Sequence, residues 1–114
     1  MKTLKTTLFV ALSSLVLSCE SNTYDEIGLV TNPTYEKNVK DIMSTNCTNC
    51  HSSNGTRSYS PLEDYQTVKD SCITGTILCR IEGNTCNLMP SSNKLPQVTI
   101  DLINRWKDQG YPEN

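Results

Sequence analysis

Cys47-Thr48-Asn49-Cys50-His51 is the stretch of this chain best equipped for chemistry. Two thiols three positions apart, with an imidazole directly after the second, form the attachment sequence for a c-type haem. Each thiol can add across one of the two vinyl groups of the porphyrin. A two-residue gap lets both sulfurs reach those vinyls from one short turn. The adjacent imidazole then supplies the proximal ligand of the iron. The expected cofactor is one haem c per chain, held covalently by Cys47 and Cys50 and ligated by His51. A tethered redox centre points to redox chemistry. Two other uses of the same thiols stand beside this one. They could be half of a zinc site, which needs four ligands, or a dithiol redox pair, which belongs in a βαβ pattern. Both leave His51 unexplained.

The elements that must position the motif read as helices. Tyr35 to Met43 carries Val39, Ile42 and Met43 at i, i+3 and i+4, the spacing of one buried face. Pro33 suits its first turn and Asn32 its cap. That helix runs straight into the motif. Residues 52–60 are a loop by composition. Pro61 is expected to open a second helix with Leu62, Tyr65, Val68 and Cys72 on its inner side. A short helical piece over 76–81 and a turn at Gly83-Asn84 follow, then an irregular loop, Met89 to Asn93. The last helix is expected from Pro96 to Gln109, with Gly110 just past its end. Val98, Ile100, Leu102, Ile103 and Trp106 share one broad side of it. No strand-like alternation of useful length occurs, so the expected class is all-α.

The sixth position of the iron is a question of donors. The chain holds a single His, so a second imidazole from this chain is excluded. Three Met residues remain. Met1 leaves with the leader described below. Met43 sits on the inner face of the first helix, where core packing is its natural role. Met89 comes 38 residues after His51, far enough for the chain to cross to the other face of the haem. Pro90 keeps Met89 out of a helix. Met89 is therefore the expected distal ligand; a gap-filling Met89 and an open or water-bound iron are the alternatives. An open iron would favour ligand sensing or peroxidase-like chemistry.

Composition and the amino terminus set the outer bounds. The chain has 114 residues, one domain's worth, and a domain this small usually needs a staple. Residues 1–18 read as an export signal: Lys2 and Lys5, then an apolar run from Leu8 to Leu17, too short to span a bilayer as a permanent helix. Val16-Leu17-Ser18-Cys19 resembles a bacterial lipobox, with Val16 where Leu is commoner; ordinary signal cleavage is the alternative. Acylated Cys19 would anchor the mature protein to a membrane, since each buried methylene contributes about 0.8 kcal/mol. Residues 19–33 are then a lipidated polar tether, and residues 34–114 the haem domain. Removing residues 1–18 leaves 8 basic and 12 acidic side chains, a formal charge of −4. That balance argues against a nucleic-acid partner. It suits docking on a basic patch of a redox partner protein, or simply a solvated surface.

Taken together, these features resemble the monohaem c-type cytochrome lipoproteins of Gram-negative bacteria, which are similar to class I cytochrome c. The resemblance rests on the lipobox, the polar spacer, the Tyr35 helix, the Cys-x-x-Cys-His motif, the Leu62-x-x-Tyr65-x-x-Val68 segment, the Met89-Pro90 loop and the Trp106 helix. It covers most of residues 34–114. It implies an all-α, class I cytochrome c-like fold around one haem, with axial ligands His51 and Met89 and the first helix packed on the Trp106 helix. It also implies single-electron transfer rather than enzymatic catalysis. The implied location is the cell envelope, lipid-anchored and facing the periplasm, with outer membrane and cell surface both open. Family members often carry a Cys pair just before the Met-Pro loop, and Cys79 and Cys86 occupy those places here. Cys72–Cys79 and Cys72–Cys86 are the competing pairings, because sequence alone does not fix connectivity. A 79–86 bridge would leave Cys72 for burial on the second helix or for pairing between molecules, burial being the plainer account. Ser91 stands where class I members often have a second Pro.

Overall fold

The amide of Lys37 donates to Thr34 Oγ1 (3.3 Å), and the amide of Thr34 donates to Asn38 Oδ1 (3.1 Å). This exchange starts the first long helical run of the computed structural model, which describes residues 24–114, with side chains from Ile27 onward. The leader expected over 1–18 and the acceptor Cys19 lie outside the described residues. The helices in order are α1 (Tyr24–Leu29), α2 (Lys40–Asn46), α3 (Tyr65–Ile73), α4 (Ile77–Glu82) and α5 (Gln97–Asp108). A π-helical turn, Tyr35–Val39, leads into α2 without a break. No strand occurs among the described residues, in line with the all-α expectation.

Several boundaries differ from the sequence reading. The first cap is Thr34, whose extended backbone (φ −121°, ψ 164°) and hydroxyl suit the task, and not Asn32. Pro33 is buried ahead of the helix. α3 starts at Tyr65 and not at Pro61. Asp64 and Thr67 form a reciprocal capping box there: Asp64 Oδ1 accepts from the Thr67 amide at 2.9 Å, and Thr67 Oγ1 from the Asp64 amide at 3.3 Å. Residues 61–64 lie ahead of the helix, and the Leu62 amide donates to His51 O at 2.8 Å. Pro96 caps α5 from outside its first turn.

The segment read as an unordered spacer contains α1. Ile27 and Val30 pack against the core, Arg105 Nη2 donates to Ile27 O (3.3 Å) and Gln109 Nε2 to Thr31 O (2.7 Å). The spacer's composition is polar, and these two apolar residues order it only because α5 offers them a partner.

The core holds the faces expected from periodicity. Val39, Ile42 and Met43 meet Val68, Ile100, Leu102, Ile103 and Trp106, all buried. Val98 is half-buried at the edge of that side. Tyr35, Tyr65 and Tyr111 surround the Trp106 cluster, with ring centroids 5.5 Å apart for Tyr35–Tyr65 and 5.0 Å for Trp106–Tyr111. The chain end locks this cluster. Pro112 O accepts from Trp106 Nε1 (2.8 Å) and from the Tyr35 amide (2.9 Å), and Glu113 O from the Glu36 amide (3.0 Å). Helix-start donors that would otherwise lack a partner are thereby satisfied.

Candidate functional site

The motif is one further turn beyond α2. The Cys47 and Thr48 amides both donate to Met43 O (2.8 and 3.1 Å). Cys47 O in turn accepts from the Cys50 amide (3.1 Å) and the His51 amide (2.9 Å). Residues at i, i+3 and i+4 of such a turn share a side, so both sulfurs and the imidazole face one way. Cys47 is half-buried and Cys50 exposed, and both are free thiols. Burial pushes the Cys47 thiol up to about 11.

His51 is held by the loop that follows it. Its Nδ1 lies 2.8 Å from Ser60 O. A carbonyl cannot donate, so Nδ1 carries the proton and Nε2 keeps the lone pair that a metal would take. The 52–60 loop closes through Leu62 N–H to His51 O and Arg57 N–H to Cys50 O, each 2.8 Å. Gly55 makes the closure feasible, because a Cβ there would collide with Cys50 O.

The opposite wall comes from α4 and the loop after it. α4 ends at Gly83 in the left-handed region (φ 71°), where glycine bears no steric penalty. Cys79 and Cys86 are bonded, with Cα atoms 5.5 Å apart, which selects one of the three pairings the sequence left open. The Met89 amide donates to Arg80 O at 3.0 Å, and the Met89–Pro90 peptide is cis.

These walls enclose a cavity of about 410 Å³ lined by Cys47, Cys50, His51 and Met89. The volume falls within the range of about 300–1,000 Å³ usual for ligand pockets. Leu62, Ile77 and Ile81 give it apolar walls, while Asn49, Ser60, Thr76 and Ser91 add polar groups. Two free thiols, an imidazole with an available lone pair and a thioether against apolar walls are a donor set that fits a haem. Cys79 and Cys86 stay outside the lining and brace the loop. Cys72 is buried on α3, and Met43 is core, as their helix positions imply. With Cys79 and Cys86 bonded to each other, they do not join Cys47 and Cys50. Among the described residues no group of three or more His, Cys, Asp or Glu is placed to hold a metal.

Arg80 also lines the cavity, whereas Arg57 is exposed and does not. The spacing Ile77, Arg80, Ile81 is i, i+3, i+4, which puts Arg80 on the inner face of α4 and could have identified it. Comparison with known proteins found no matching family model, no matching curated protein and no matching solved structure.

Proposed function

We propose that this chain is a single-electron carrier, a class I cytochrome c-like domain with one haem c. Cys47 and Cys50 would hold the haem through thioether links, and His51 and Met89 would ligate its iron. One observation carries the reading: the motif residues and Met89, far apart in sequence, line the same cavity. Haem bound there would supply a one-electron couple between ferric and ferrous iron. The residues divide the remaining work. Cys47 and Cys50 would each add S–H across a vinyl group, sulfur going to one carbon and the proton to the other, so the cofactor would be retained through every cycle. The Ser60 carbonyl fixes the orientation and tautomer of the His51 ring. The soft thioether of Met89 favours the reduced state and raises the potential relative to a second imidazole. Leu62, Ile77 and Ile81 keep water away, which disfavours the more charged oxidised state. The leader pattern supports the rest: a lipid anchor at Cys19 would hold the carrier in the cell envelope, facing the periplasm, where a redox partner protein exchanges electrons with it.

The test is a visible spectrum and an intact mass of mature protein made in a host competent for haem attachment, beside Met89→Ala. Wild type should carry one covalent haem, sharp reduced c-type bands and a weak far-red thioether-to-iron band. Met89→Ala should keep the haem and lose the far-red band. Colourless wild-type protein at apoprotein mass overturns the reading. High-spin wild type that binds carbon monoxide rapidly would transfer the role to ligand sensing or peroxidase-like chemistry.

A further inference from the structure

The loop that carries Met89 is fastened to α4 at three places. Cys86 is bonded to Cys79. Asn87 O lies 3.4 Å from Arg80 Nη1, a long contact. The Met89 amide donates to Arg80 O at 3.0 Å. Two of these fastenings end on Arg80. Its guanidinium is itself oriented, because Nε donates to Thr76 Oγ1 at 3.0 Å. Arg80 is half-buried and, of the residues lining the cavity, the one with a permanent charge. A solvated surface arginine needs none of this.

We propose that Arg80 is a positioning residue for Met89. Its guanidinium, set by Thr76, holds residues 87–89 against α4 and so fixes where the Met89 sulfur stands. A planar fork can hold two acceptors in fixed directions, and an ammonium cannot. The disulfide limits how far residue 86 can move, but it leaves the three residues up to Met89 free to pivot. Arg80 removes that freedom from both sides, by its carbonyl and by its side chain. The inference rests on the reading of Met89 as an axial ligand, although the clamp itself consists of this chain's atoms alone.

The experiment compares wild type, Arg80→Leu, Arg80→Lys and Thr76→Val. One readout is the rate at which hydrogen peroxide oxidises Met89, followed by peptide mass spectrometry with buried Met43 as internal control. The second is the far-red band. In Arg80→Leu, Met89 should be oxidised about fivefold faster, the factor that loss of one modest hydrogen bond allows, and the band should weaken. Arg80→Lys keeps the charge and should not restore either readout; full restoration would overturn positioning in favour of charge. Thr76→Val, nearly isosteric and with Arg80 intact, should move both readouts the same way by less. Wild-type behaviour of Arg80→Leu overturns the proposal. Should that variant fail to fold, unchanged behaviour of Thr76→Val overturns it instead. A wild-type protein without haem would sink the electron-carrier reading only, and the Met89 oxidation rates would still decide the clamp.

Discussion

Cys72 and Cys47 are both thiols withdrawn from water, yet only one lies in the cavity. Cys72 packs in the core on α3, where burial pushes its thiol up to about 11 against a weaker opposite pull from Lys107. The sign of the consequence follows from proton counting. Between the ordinary value of 9.0 and about 11 the unfolded chain has lost this proton and the folded chain keeps it. Stability owed to Cys72 is therefore fully present below the ordinary value and falls as pH rises through that window. Urea midpoints should decline over it in wild type and decline less in Cys72→Ala. At pH 8, iodoacetamide should label Cys72 of the native protein about a hundredfold more slowly than that of urea-unfolded protein, because the thiolate is the nucleophile. Labelling at the unfolded rate would contradict the burial. The inner-face spacing from Leu62 to Cys72 already marked this residue for the core. Nothing local in the sequence marked Gly55, whose lack of a side chain lets the loop after His51 approach Cys50 O.

At the scale of elements, caps decided where helices begin. Pro61 is the conspicuous signal ahead of α3, but the Asp64–Thr67 box is the one the chain uses. Asp64→Ala should lower stability by about 1 kcal/mol in urea unfolding, the usual cost of a lost cap side chain. Pro61→Ala should cost less, and the reverse order would show the boundary to be misassigned. The box was legible as Asp-x-x-Thr, weaker than the usual pairing with Glu or Gln. The bond from the Leu62 amide to His51 O was not legible, because it runs across the loop. α1 teaches the same lesson. Ile27 and Val30 form no periodic face of their own, and α5 supplies the surface that orders them.

Across the whole molecule, the chain end acts as a clasp. Residues 111–113 join the π-helical turn ahead of α2, α3 and α5 through Tyr65 Oη to Tyr111 O (2.9 Å), both bonds to Pro112 O and the bond to Glu113 O. Truncation after Gly110 removes these three carbonyl acceptors, the four hydrogen bonds they take and the Tyr111 ring beside Trp106. At about 0.5–1.5 kcal/mol for each bond, the loss should reach about 3 kcal/mol or more. Unfolding by urea, monitored through Trp106 fluorescence, measures it; an unchanged midpoint would show the tail to be passive. No sequence signal announced this role, since Tyr-Pro-Glu-Asn has neither period nor motif.

The sequence by itself determined whatever depends on neighbours within a turn or two. The Cys-x-x-Cys-His spacing, the buried faces at i, i+3 and i+4, and the end of α5 at Gly110 belong here, because backbone geometry alone links those residues. Tertiary structure decided which distant groups meet. It brought Met89 to the cavity of His51, chose Cys79–Cys86 among three pairings, turned Arg80 inward and laid Pro112 over Trp106. Such meetings depend on how the helices pack, and a contact between residues dozens of positions apart leaves no mark in the local order of either one.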